Sequence, residues 1–424
     1  MSTLTSATPA SDSFNIEGMR SPWLVEAGFK WLFDQPQGWM GVLRKALPFF
    51  RVPRFYTIVT RFAHVQEVLA REEVFQVPFA ARMFHLMAGP KFVLAMQDGD
   101  EYRLQRREIM QAFRLEDVAA RIAPRSAGLA AQIVEQSGGR IDAVEELLTR
   151  VPTILCREYY GLNVQDPKLF AQWTLAVSGY VFGSPWGKRD RHTATAQTAA
   201  NCLGALIDES IRNARRAGDR STTIVARLVG MQEKGNGHPS DEMIRTELFG
   251  MIVGFVPTNT IASGNILEML LRRGDFMEAA QAAARADDDE RLWRCLFEAL
   301  RFKPINSGLF RECVKDHTIG AGGPRGKRIR PGTRLLVSTQ SAMFDGRWVV
   351  EPDTFNPDRP KHEYMLFGYG LHWCIGAFLA AAQITQTFKP LLKKHGLVRA
   401  QDGDGGRLQT IGVMPLHLRV QFRA

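Results

Sequence analysis

Cys374 is the residue best placed in this sequence to do chemistry. It lies in Phe367-Gly-Tyr-Gly-Leu-His-Trp-Cys374-Ile-Gly376, just before the helical run Ala-Phe-Leu-Ala-Ala-Ala-Gln-Ile-Thr. Glycines allow positive φ and the close approach of a flat ligand. A cysteine near a helix N-terminus faces backbone N–H groups, which stabilise a thiolate and lower its pKa. A thiolate so held is a good axial ligand for haem iron. No second cysteine or histidine stands at ligand spacing, so haem suits the loop better than zinc. Upstream, Glu298-Ala-Leu-Arg301 puts opposite charges one helical turn apart on one face.

The loop matches the pattern FGxGxHxCxG at every defined position. It resembles the haem-binding loop of the cytochrome P450 family, and the order of motifs extends the resemblance from roughly residue 55 to 422. The resemblance implies heme b (iron protoporphyrin IX) bound through Cys374, with Phe367 and Gly376 in the cofactor-binding loop. Glu298 and Arg301 are then the family's structural ion pair. Arg359, in Phe355-Asn-Pro-Asp-Arg359, is the third partner. Haem propionates need cations or strong donors. Tyr102, Arg106, Arg311 and His372 match family positions for them. Tyr102 stands where many members carry histidine, and its hydroxyl is expected to donate instead.

The long central helix departs from the family. Many members carry a small residue, glycine, any residue, an acid and two threonines there, and the acid and first threonine deliver protons to dioxygen. The matching stretch is Gly254-Phe-Val-Pro257-Thr258-Asn259-Thr260. One register puts Pro257 at the acid and Thr258 at the first threonine. A shift by one puts Val256 at the acid. Neither supplies a carboxylate. Thr258 and Asn259 are the catalytic candidates. Pro257 lacks an N–H and clashes one turn back, so a kink or bulge is expected near residues 253–257.

Two reactions remain open. The first is a monooxygenase inserting one oxygen atom from O2 into a hydrophobic substrate. The alternative, prompted by the missing acid, is a peroxygenase or lipid hydroperoxide isomerase. The resemblance sets the pocket among Phe79, Phe84, Met87, Val253, Gly254, Ile305, Leu309, Ile411 and Val413. Their apolar character suits a terpenoid, steroid, fatty acyl or aromatic compound. The sequence has no flavin or nicotinamide fingerprint and no four-cysteine cluster. Electrons are therefore expected from a separate ferredoxin or flavodoxin-like donor.

Helices supply most of the scaffold for these residues. Helical patterning covers residues 64–71, 101–135, 141–160, 167–182, 194–217, 222–234, 241 to about 273, 289–302 and 374 to about 397. Strand patterning covers 54–61 and 333–340, with a hairpin in Ile411-Gly-Val-Met-Pro-Leu-His-Leu-Arg-Val-Gln-Phe422. The class is mainly α with small β-sheets (α+β), and the resemblance implies the triangular helical fold of the family. The 424 residues read as a single haem-thiolate domain, with 1–20 a flexible tail. Residues 23–50, aromatic and basic, read as a helix packed on the body.

Composition bounds the rest. Five odd, widely spaced cysteines exclude a secreted disulfide framework and suggest a cytoplasmic setting. The net charge of +10 suits an acidic protein partner, an anionic substrate or a membrane surface. Scattered basic residues without a recognition motif argue against nucleic acid. No signal sequence or transmembrane segment is expected.

Overall fold

The central helix and two others begin where the sequence supplies a side-chain oxygen to cap them. Ser240 Oγ accepts from the Met243 N–H at 3.2 Å, and Thr223 Oγ1 from Ala226 at 3.2 Å. Asp288 Oδ1 accepts from Arg291 at 2.9 Å. Each satisfies an N–H that a helix terminus leaves unpaired. The helices that follow are Asp241–Arg272, Ile224–Lys234 and Asp289–Phe302. The computed structural model describes residues 14, 16–19, 37–52, 56–87, 89, 91–182, 190–235, 237–401 and 406–423.

The helix Asp241–Arg272 is apolar on nearly every side through its middle and is buried accordingly. Pro167–Phe182, Asp190–Ala217 and Asp289–Phe302 pack against it. Ala377–Lys393 lies on Ala123–Gln136 and carries the 367–376 loop at its front end. The apolar side chains of the described residues fall into three buried clusters, one around the central helix, one under Ala377–Lys393 and one against the largest sheet.

That sheet has five strands in the order Phe49–Val52, Tyr56–Val59, Arg334–Val337, Leu309–Cys313, Phe75–Gln76. Tyr56–Val59 and Arg334–Val337 run parallel, and the other neighbours are antiparallel. Leu309–Cys313 therefore holds Leu309 and Arg311 in a fixed register beside the cysteine loop. Gln409–Ile411 and Met414–His417 form a hairpin against the central helix. Arg419–Gln421 lies between Arg140–Asp142 and Val398–Arg399.

Several expectations need correction. The helices Ala80–Met87 and Gly274–Arg285 and the strand Phe49–Val52 had not been expected. Residues 141–160 form a strand and three short helical segments rather than one helix, with Pro152 among them. Much of the expected tail, 1–13, 15 and 20, lies outside the described residues. Ile16–Met19, however, is a 3-10 turn whose Ile16 and Met19 are built into the core. Of the expected 23–50 helix, 23–36 lies outside the described residues, and Gln37–Ala46 is helical. Helical structure continues unbroken through Pro257.

Candidate active site

The 367–376 loop folds back on itself. The Cys374 N–H donates to the Phe367 carbonyl at 3.0 Å. Gly368 and Gly370 sit at φ 78° and 74°. A Cβ on Gly370 would stand 2.6 Å from the Leu69 carbonyl oxygen, so glycine is required by both conformation and space. Phe367 stacks on Phe297 at 5.5 Å. Phe367, Cys374 and Gly376 all border one cavity of about 950 Å³. Burial pushes the Cys374 thiol up, and the Gly376 N–H pulls it down. The expected lowering by N–H groups is thus present but smaller than desolvation.

Beside the loop, the guanidiniums of Arg311 and Arg106 lie near the His372 ring. Arg311 is fully buried, and burial pushes its guanidinium down to about 10. Its Nη1 donates to its neighbour's carbonyl, Phe310 O, at 2.8 Å. It makes no ion pair with a carboxylate among the described residues. His372 borders the cavity, and both its ring nitrogens are buried without a hydrogen-bond partner among the described residues. Burial, then Arg311 and Arg106, hold its imidazole down at about 4. Unpaired buried charge is costly, so this cluster fits an anionic group such as a haem propionate pair. The donor set and the thiol therefore agree with haem. Tyr102 does not serve as expected: its hydroxyl donates to the Leu371 carbonyl at 3.1 Å and accepts from Arg106 at 3.2 Å. It links the helix Asp100–Ala112 to the cysteine loop.

The central helix borders the cavity with Gly254, Thr258 and Asn259. The Thr258 hydroxyl donates to the Gly254 carbonyl. Asn259 Nδ2 donates to Phe255 O at 2.7 Å, and its buried Oδ1 has no donor among the described residues. Such back-bonding replaces solvent for helix carbonyls. Val253, Val256 and Pro257 do not line the cavity, because they occupy the other side of the helix. The acid position is thus both uncharged and turned away. Glu268 is the one carboxylate among the described lining residues, and Arg272 and Arg399 hold it at 2.5 and 2.9 Å.

Of the expected pocket residues, Gly254, Ile305, Leu309, Ile411 and Val413 line the cavity. Four do not. Val253 is core. Phe84 is 61% exposed. Phe79 packs edge-on to Phe182 at 5.2 Å, and Phe182 itself lines the wall. Met87 packs on the core beside it. Phe84 and Met87 lie on the unexpected helix Ala80–Met87. The sequence reading also missed Tyr160, which stacks on Phe255 at 5.5 Å and lines the cavity, and Ile16 and Met19.

Glu298, Arg301 and Arg359 come together as expected. Arg359 Nε lies 3.3 Å from Glu298 Oε1. Two partners had been missed: the Tyr364 hydroxyl donates to Glu298 at 2.7 Å, and Glu363 holds Arg359 at 2.8 Å. The spacing of Arg359 and Glu363 was a usable signal.

The family model for cytochrome P450 matches residues 45–404. The chain belongs to the cytochrome P450 family. Cyclomarin C epoxidase CymV of Salinispora arenicola is 24% identical over 333 residues, covering 78% of this chain and 80% of the relative. Erythromycin C-12 hydroxylase of Saccharopolyspora erythraea is 25% identical over 374 residues, covering 88% and 89%. The crystal structure of CalO2 superposes with a TM-score of 0.78 at 21% identity, covering 92% of this chain and 96% of that one, which establishes the shared fold. This P450 is a monooxygenase of organic substrates, and the family's cofactor is haem ligated by a thiolate. Among the described residues no helix is long and apolar enough to cross a membrane.

Proposed function

We propose that this P450 hydroxylates or epoxidises a bulky apolar substrate, with Cys374 as the iron ligand and the described chain working as one haem-thiolate domain. The observation that carries the cofactor assignment is buried Arg311, with no carboxylate partner among the described residues, together with the unpartnered His372 ring beside the cavity that Cys374 borders. Arg311, Arg106 and the His372 ring would hold the propionates, and Tyr102 orients Arg106. The Glu298, Arg301 and Arg359 network fixes the segment leading to the loop. Haem bound here supplies oxygen activation, assisted by electron donation from the thiolate. The apolar walls exclude water and hold the substrate. Asn259 Oδ1 accepts a hydrogen bond from a water or hydroxyl in the cavity, and the Thr258 oxygen retains a lone pair for the same purpose. One oxygen atom enters the substrate and the other leaves as water, with electrons from a separate acidic iron–sulfur or flavin protein. The net charge of +10 and the five unpaired cysteines suit such a donor and a cytoplasmic setting.

A peroxide-driven reaction is the second reading. It draws on the engagement of the Thr258 hydroxyl by Gly254 and the absence of a carboxylate at Val256 and Pro257. Two arms separate the readings: substrate with NAD(P)H, donor proteins and dioxygen, against substrate with peroxide alone. Product in the second arm only would reject the oxygen-dependent route. Cys374→His should retain some haem yet lose the thiolate signature of the reduced carbon monoxide spectrum; an unchanged spectrum would reject the ligand assignment.

A further inference from the structure

One wall of the cavity comes from near the start of the sequence. Ile16 and Met19, at the two ends of the 3-10 turn Ile16–Met19, both border the cavity, and each is 5% exposed. The turn packs on Pro167–Phe182 and Asp190–Ala217. Where it meets the first of these helices, Gly179 presents bare backbone. A Cβ built on Gly179 would lie 2.2 Å from Met414 Cε and 3.4 Å from Met19 Cε. Met414 belongs to the C-terminal hairpin and also borders the cavity. Two thioether side chains from remote segments thus fill the space that the missing side chain leaves.

We propose that the Ile16–Met19 turn is a specificity-determining wall, and that Met19 and Met414, seated over Gly179, set how long an apolar substrate the cavity accepts. Methionine has three rotatable bonds and a polarisable sulfur, so it fills irregular gaps and yields to a ligand without breaking packing. Elsewhere the wall is stiffer. At Gly250 a Cβ would fall 2.4 Å from the Phe92 ring, so helix and ring are locked together there. A longer ligand therefore extends towards the two methionines. The same geometry gives Gly179 a function: an alanine there drives the methionine ends off the helix and shortens the space. The inference rests on the apolar-substrate reading above.

The test uses the haem-loaded protein and a series of n-alkylimidazoles, whose nitrogen anchors on the iron while the chain probes the cavity. Dissociation constants come from the haem spectral shift. The parent should bind more tightly by about fourfold per added methylene up to a limiting length. Met19→Ala should move that limit to longer chains, and Gly179→Ala to shorter ones, with the carbon monoxide spectrum unaltered in both. Profiles in both variants that coincide with a length-selective parent would overturn the wall alone. A parent with no length preference would overturn the apolar reading and this inference with it. Should Met19→Ala fail to retain haem, Gly179→Ala decides by itself.

Discussion

Glu298 and Arg301 meet in a two-pronged pair, Nε to Oε2 at 2.9 Å and Nη2 to Oε1 at 2.7 Å, with neither side chain touching solvent. Arg301 also donates to the carbonyls of Met343, Pro352 and Thr354, so one guanidinium pins a whole stretch of chain ahead of the cysteine loop. Glu298→Ala leaves Arg301 buried without its carboxylate and weakens the hold on Arg359. The expected cost is about 3–5 kcal/mol, read by chemical denaturation. Tyr364→Phe removes one hydrogen bond to the same carboxylate and should cost about 1.5–3 kcal/mol. Unchanged denaturation midpoints would contradict the pinning.

Arg311 predicts opposite effects in the two forms of the protein. Arg311→Met removes a buried cation that lacks a carboxylate partner among the described residues, so the haem-free chain should gain stability. The loaded protein should lose haem faster, because an anionic group loses its deepest cation. Melting of the haem-free form and haem transfer to a competing apoprotein measure the two. Loss of stability in the haem-free form would contradict the argument.

Glu247 gives the chain a pH dependence. Burial pushes its carboxyl well above its ordinary 4.5, although the Val93 N–H donates to Oε1 at 3.1 Å. Folding therefore retains a proton that the unfolded chain releases near 4.5. The contribution is full below that pH and is lost as pH rises through the folded value. Relative to Glu247→Gln, the parent should lose stability steadily from about pH 4.5 upward. Parallel stability curves for the two proteins would contradict it.

Thr258 holds the Gly254 carbonyl, one turn back. Thr258→Val removes both that bond and a polar atom from the cavity, while Thr258→Ser keeps them. Under oxygen-dependent turnover the valine variant should lose on the order of 10²-fold in product formation, and the serine variant far less. Equal rates in all three would remove Thr258 from the reaction.

Legibility in the sequence followed physical locality. Cys374 and its glycines could be read because the loop's conformational demand is local, as Gly370 against Leu69 shows. The helix Asp289–Phe302 could be read because its own apolar period spans several turns. The Ile16–Met19 turn is too short to have a period, and its burial depends on partners far along the chain. The orientation of Val253 and Pro257 was also hidden. A helix buried on nearly every side has little amphipathic contrast to mark which face meets the cavity. Tyr102 escaped for another reason: its acceptor, Leu371 O, is 269 positions away.

The three-stranded sheet bears on the order in which the molecule is made. Leu418 donates to Asp142 across 276 positions, and Arg419–Gln421 closes the sheet between two earlier strands. During synthesis Arg140–Asp142 waits for its central neighbour until every described helix has been made. The hairpin holding Met414 emerges just before that strand, so a polypeptide stalled short of it has its helical body but an unfinished cavity. Slow, distant pairing of this kind makes the late stage of folding the vulnerable one.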